Sequence, residues 1–203
     1  MSVQETPDKS SGNELFPVFL KLNELQVLLV GAGNIGLEKL GAIINNCPAT
    51  QIHVVAQEIS DDVKELAGNF ANITLLKKSF EAADLDKADI VFVATNNPQL
   101  NDYIKEEARK RKLLVNFADK PALCNFYLGS VVQKGNLKLG ISTNGRSPTL
   151  ARRLKEVLEE ALPSELEETL DNLNKIREML QGDFSYKVKK LNQITELLIS
   201  NEK

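Results

Sequence analysis

Hydrophobic positions along the chain fall into two alternating patterns. Short unbroken apolar runs occur at 26–30, 52–56, 90–94 and 114–117, with a shorter one at 74–76. Runs of this length suit strands covered on both faces, as in a parallel sheet. Between them lie segments of helical character, at 37–46, 61–69 and 97–111, and a helical turn at 81–85. In the third helix Leu100, Tyr103, Ile104 and Ala108 share one face. Pro48 ends the first, because the residue before a proline is disfavoured in helix. This β-α-β-α alternation predicts an α/β fold, a parallel sheet clothed by helices. The pattern changes after position 119. Segments 126–133 and 137–143 are strand-like, with Lys134, Gly135 and Asn136 turning between them. Ser147 as N-cap and Pro148 as first residue then begin a helix, with Leu150, Leu154, Val157, Leu158 and Ala161 on its apolar face. Beyond Pro163, Leu166, Leu170, Leu173 and Leu180, then Val188, Leu191 and Leu198, keep helical spacing, and Gly182-Asp183 separates two helices. Residues 1–14 are polar and expected to be disordered, and 15–22 to be extended.

Gly31, Gly33 and Gly36 fit G-x-G-x-x-G between a buried strand and a helix, with another strand about 20 residues on. That context makes the sheet Rossmann-like and the loop a dinucleotide site. Gly31 permits the tight turn, Gly33 leaves room for a pyrophosphate, and Gly36 lets the helix pack close to the strand. Amides at the helix start face the phosphates. The second strand is expected to end at Ala56, which puts Gln57 and Glu58 just past its tip. Glu58 can accept ribose hydroxyls or can simply be a helix-start acid, and Gln57 offers an amide. No Arg or Lys is expected to lie nearby to hold a 2′-phosphate, which favours NAD over NADP. Thr95 and Asn96 follow the fourth strand, where cofactor sugars bind in such sheets. Asn97 with Pro98 reads as a helix cap.

The chain has 203 residues, 42% of them hydrophobic, enough for a sizeable core. It lacks an apolar stretch long enough for a membrane span, and its first residues lack an apolar signal core, so a cytoplasmic protein is expected. Cys47 and Cys124 are too few for a disulfide framework and are expected to be packing residues. His53 is the single histidine, which argues against a multi-histidine zinc site and against an acid/base histidine. Net charge −3 hides an asymmetry. Residues 109–155 hold eleven basic residues and one acid, Asp119, for +10, whereas 1–108 carry −8 and 156–203 carry −5. The block points to a focused field and an anionic partner; the alternative is local pairing with the acidic flanks. Neither nucleic acid nor a membrane is expected as partner. Asp119 follows the fifth strand, where an ionised carboxylate beside a cofactor can take a proton as hydride leaves; it reads equally as a turn aspartate. The loop 142–148, with Arg146 and Ser147 and the nearby Arg152 and Arg153, is a candidate carboxylate site.

The segments FPVFLKL, VLLVGAGNIGLEK, FVATNN, VNFADKPALCNF and STNGRSPTLARRLKEVLEEALP, in this order, resemble the precorrin-2 dehydrogenase family, also seen as the N-terminal module of siroheme synthase. The resemblance runs from about 15 to 163. It implies NAD-dependent oxidation of precorrin-2 to sirohydrochlorin, in a homodimer with a strand-and-helix dimerisation region. Asp119 falls on the family's catalytic aspartate. Asn34, Ile35, Gln57 and Glu58 fall on its cofactor contacts, and Ser147 on a serine phosphorylated in some members. Lys120 stands where small or acidic residues are common in the family. The expected organisation is a disordered N-terminus over 1–14, an NAD-binding Rossmann domain over 15–118, a dimerisation and substrate region over 119–162 and a helical C-terminal region over 163–203. Two other functions stay open. Some members also insert ferrous iron, as sirohydrochlorin ferrochelatases, and non-catalytic NAD-sensing domains resemble the first 110 residues. The Asp119 segment and the basic block disfavour the sensing domain.

Overall fold

The computed structural model describes residues 12–118, 120–163 and 166–196. The chain divides into two units, Phe16–Leu128 and a second from Gly129 onward. In the first, β1 (Gln26–Ala32), β2 (Gln51–Ile59), β3 (Ile73–Lys77), β4 (Ile90–Val93) and β5 (Leu114–Phe117) form a parallel sheet in the order β3-β2-β1-β4-β5. The crossovers include α1 (Asn34–Asn46), α2 (Asp61–Gly68) and α3 (Pro98–Lys110). Alternate strand residues feed two cores. Val27, Leu29, Ile52, Val54 and Phe92 pack with Leu40, Ile43 and Val63 on one face. Leu28, Val30, Val55, Val91 and Val115 pack with Ile104 and Ala108 on the other. The Rossmann-like parallel sheet predicted from the apolar runs is therefore present, buried on both sides.

Several element ends differ from the hydrophobic pattern. The first helix starts at Asn34, three residues early, because Leu37 N–H already donates to Gly33 C=O at 2.9 Å. The second strand reaches Ile59, so Glu58 lies within it and not past its end. The cause is a bulge: Val30 pairs with Val55, the register then shifts, and Ala32 pairs with Ile59. Segment 126–133 is strand only from Ser130. Phe126 instead turns its ring onto Phe92, edge to face with centroids 5.5 Å apart. Segment 15–22 forms no strand, and Phe16 is 87% exposed.

The second unit pairs β6 (Ser130–Lys134) with β7 (Leu137–Ile141) antiparallel and adds α4 (Pro148–Ala161), α5 (Leu166–Met179) and α6 (Phe184–Thr195). Val132 and Ala151 are its buried apolar residues among those described. A two-stranded hairpin covers little, so Leu150, Leu154 and Val157 of α4 stay exposed. Glu167 at the start of α5 accepts both the N–H and the side-chain amide of Asn136 in the hairpin turn, each at 2.6 Å. No described helix is long and apolar enough to cross a membrane.

Phe92 is 2% exposed and supports both the sheet core and the returning Phe126. Phe92→Ala should lower unfolding free energy by about 3–5 kcal/mol in a urea titration. A loss near zero would mean that this face is not a packed core.

Candidate functional site

The geometry begins with Gly31. Its φ is +104°, and a Cβ there would lie 2.3 Å from the Ala94 carbonyl oxygen. A Cβ on Gly36 would lie 2.3 Å from the Gly31 carbonyl oxygen. Both positions are therefore closed to any side chain. Gly33 is different: nothing lies within 4 Å of where its Cβ would be. It is the N-cap of α1 and makes no side-chain cap, whereas Ser60, Asn97, Ser147 and Asp183 cap α2, α3, α4 and α6. The amides of Asn34, Ile35 and Gly36 thus precede the first helical hydrogen bond, at the positive end of the helix dipole.

A cleft of about 520 Å³ lies at the carboxyl edge of the sheet, beside this turn. Gly31, Gln57, Glu58, Thr95 and Asn96 line it together; Gly33, Asn34, Ile35 and Gly36 sit on the adjoining turn outside its lining. It lies where strand order reverses, β1 running between β2 and β4. The bulge shapes it. Where β1 uses one residue, Gly31, β2 uses three, Ala56, Gln57 and Glu58, and these reach the cleft unpaired with β1. Gln57 Nε2 donates to Ser79 Oγ at 2.9 Å, so its amide oxygen is the end left to accept. Thr95 donates its hydroxyl to Asn101 Oδ1 at 2.6 Å, and buried Asn101 returns an amide to the Thr95 carbonyl at 3.3 Å. The Thr95 hydroxyl hydrogen is thereby committed to the fold. Asn97 caps α3 through Leu100 N–H at 3.1 Å, as its sequence context predicts.

Lys78 and Phe80 also line the cleft, and the sequence reading overlooked both. The expectation that no cation stands near Gln57 and Glu58 is corrected. Ala56 pairs with Lys77, and Lys78 N–H donates to the Ala56 carbonyl at 3.0 Å. The available signal was the Lys77-Lys78 pair at the end of the third apolar run. The Lys78 ammonium is bound 2.8 Å from Asp84 and 3.4 Å from Glu81. The Asp84 hydrogen bond above all raises its pKa, against partial desolvation.

Asp119 lies outside the described residues. The chain on either side is fixed. Ala118 N–H donates to Val93 C=O at 2.9 Å. Cys124 Sγ accepts from Phe117 N–H at 3.1 Å and can donate to Phe117 C=O at 3.2 Å or Lys120 C=O at 3.4 Å. Asn125 bonds Val115 through both its main chain, at 2.9 Å, and its side chain, at 3.0 Å. Asn116 donates to Phe126 C=O at 2.9 Å. Cys124 is thus more than a packing residue. Burial pushes its thiol pKa up, which keeps the proton it donates. His53 sits half-buried in β2, opposite Leu28 and Thr74.

Among the described residues, at least six of the eleven basic residues in 109–155 pair with acids close in sequence or space. Arg109 meets Glu106, Lys110 meets Glu107, and Arg111 meets Asp86 and Glu107. Arg152 and Arg153 share Glu156 at 3.4 and 2.7 Å, and Lys155 meets Glu159. Arg153 chiefly holds the Glu156 carboxyl below its usual range. Local pairing therefore accounts for part of the block. Arg146 is exposed, and its N–H donates to the Thr143 carbonyl at 3.0 Å. Ser147 Oγ accepts Leu150 N–H at 3.1 Å. No cluster of three or more His, Cys, Asp or Glu suited to a metal ion occurs among the described residues.

Residues 18–130 match a family model described as NAD(P)-binding, and 134–161 match one described as sirohaem biosynthesis protein central. Siroheme synthase from Buchnera aphidicola subsp. Acyrthosiphon pisum (strain APS) is 33% identical over 83% of this chain and 35% of its own length. Siroheme synthase from Pseudoalteromonas atlantica (strain T6c) is 33% identical over 85% of this chain and 37% of its own. The chain thus spans about a third of the length of these relatives. The solved structure of SirC, a precorrin-2 dehydrogenase, superposes with TM-score 0.70 at 28% identity, covering 89% of each chain.

The open space at Gly33 and the uncapped amides fit a dinucleotide pyrophosphate. Gly33→Ala should fold with an unchanged melting temperature yet bind NAD⁺ at least about tenfold more weakly by calorimetry. Gly31→Ala should lose stability itself. Equal NAD⁺ affinity in folded Gly33→Ala would remove the pyrophosphate from this turn.

Proposed function

The chain belongs to the NAD(P)-binding family matched over residues 18–130, and from that premise we propose that it dehydrogenates precorrin-2 to sirohydrochlorin. One observation carries the reading: the likeness to SirC extends through both units, beyond the nucleotide-binding one that many dehydrogenases share. NAD⁺, when bound, supplies the hydride acceptor. This chain's residues supply the rest. Amides of Asn34, Ile35 and Gly36 hold the pyrophosphate beside Gly33, and Gly31 gives the turn its close approach. Glu58 accepts ribose hydroxyls, the Gln57 amide oxygen assists, and Thr95 and Asn96 form the wall at β4.

Asp119 takes the proton that leaves the substrate carbon as the hydride departs, so one proton and one hydride are removed together. The staple of Cys124, Asn125 and Asn116 supports this by fixing the backbone on either side. Precorrin-2 is a polycarboxylate, and Arg146, exposed beside the start of α4, is placed to meet one. Arg152 and Arg153 join it by exchanging the exposed Glu156 for a substrate carboxylate, since surface ion pairs are weak. Ser147 holds that loop's shape by capping α4. The exposed Leu150, Leu154 and Val157 support a homodimer. A cytoplasmic enzyme fits this soluble substrate and cofactor.

The reading is tested by anaerobic turnover of precorrin-2 with NAD⁺, following sirohydrochlorin and NADH together. Matched, enzyme-dependent appearance of both is expected; NAD⁺ binding without either product would favour a sensing domain. Supplied sirohydrochlorin and ferrous iron assay chelation separately. Asp119→Ala should cut kcat by about 10²–10⁴ with NAD⁺ affinity retained, and unchanged kcat would remove Asp119 from the chemistry. Arg146→Ala should raise KM several-fold with kcat nearly intact. An unaltered KM would exclude it as a carboxylate clamp.

A further inference from the structure

The corner of the cleft beside Gln57 and Glu58 holds a cation whose charge is already taken. Lys78 is fixed next to the bulge, since its N–H is bound to the Ala56 carbonyl at 3.0 Å. Its ammonium lies 2.8 Å from Asp84 Oδ1 and 3.4 Å from Glu81 Oε2. Asp84 is anchored at its other end, where Oδ2 accepts the Glu81 N–H at 2.9 Å. Its side chain is 11% exposed, against 38% for Lys78, so the carboxylate is the better held partner. Glu58 lines the same corner. Two carboxylates, Asp84 and Glu81, thus hold the one ammonium, and a third, Glu58, lines the cleft with it. A ribose hydroxyl pair suits such an edge, because carboxylates accept its hydrogens. A 2′-phosphate would bring about two more negative charges and need an unpaired cation.

We propose that Asp84 is a specificity-determining residue: by holding Lys78 it keeps this corner anionic and restricts the cleft to the dinucleotide with a free 2′-hydroxyl, NAD, against its 2′-phosphorylated form. The proposal rests on the NAD(P)-binding reading of this cleft and names the discrimination made there. Asp84 touches Lys78 and acts through it.

Asp84→Asn keeps an oxygen for the Glu81 N–H while removing the charge opposite Lys78, and Asp84→Ser keeps an acceptor in a second way. Dissociation constants for NAD⁺ and NADP⁺ are measured by calorimetry on the full chain, with melting temperature as the folding control. Wild type should prefer NAD⁺. In either folded variant NADP⁺ should bind about five- to tenfold more tightly than in wild type, with NAD⁺ changed by less than about twofold. Adding Lys78→Ala to the variant should abolish the gain. The proposal is overturned by unchanged NADP⁺ affinity in the Asp84 variants, by a gain that survives Lys78→Ala, or by a wild type that binds both nucleotides equally. Each of those results leaves the NAD(P) site standing. A wild type that binds neither nucleotide overturns the site and the proposal together.

Discussion

The carboxyl edge of the sheet depends on how closely β1 and β4 approach each other at Gly31. The Ala94 carbonyl occupies the space where any larger residue would carry its Cβ, and Gly31 takes a positive φ to pass it. That turn drops the chain directly into α1, whose third residue, Gly36, must in turn clear the Gly31 carbonyl. Two steric exclusions in series therefore fix where the helix begins and where its free amides point. The same residue interrupts the β1–β2 ladder and releases Ala56, Gln57 and Glu58 toward the cleft. One backbone contact so sets both the uncapped start of α1 and the β2 wall of the cleft.

Features carried by local chemistry were legible in the sequence. The glycine loop, the two-sided apolar strands and the caps at Asn97 and Ser147 each follow from residues within a few positions of one another. Features that arise from register were not. Lys78 enters the cleft because β2 and β3 pair Ala56 with Lys77, and no local pattern encodes that pairing. The length of β2 escaped notice for a related reason: its ladder with β1 resumes at Ile59 only after a bulge that sets three of its own residues against one of β1. Asn101 reads as an ordinary polar helix position, yet it is buried and tied to Thr95. The charged block over 109–155 suggested a single field. Half of its cations instead answer to acids at helical spacing or to Asp86, which leaves Arg146 more distinctive than its neighbours.

The segment from Asn116 to Phe126 carries much of the resemblance to precorrin-2 dehydrogenases, and most of its named side chains do mechanical work. Asn116, Cys124 and Asn125 satisfy backbone groups of β5 and of the chain returning beside it. Phe126 then packs against Phe92 in the opposite core. The motif fastens the end of β5 to the chain returning beside it. A thiol suits this role because it both accepts and donates at long distances, and burial keeps it protonated.

Glu167 invites a similar view of the second unit. Its carboxylate grips Asn136, thirty-one positions earlier, and so closes the hairpin turn, β7, α4 and the start of α5 into a ring. The other end of α4 is tied as well, with Thr143 Oγ1 bonded to both the N–H and the carbonyl of Ser147. A helix fastened before and after its length cannot shift alone. A cut at Pro163 would therefore take from the hairpin turn the carboxylate that holds Asn136, and not merely trim a tail.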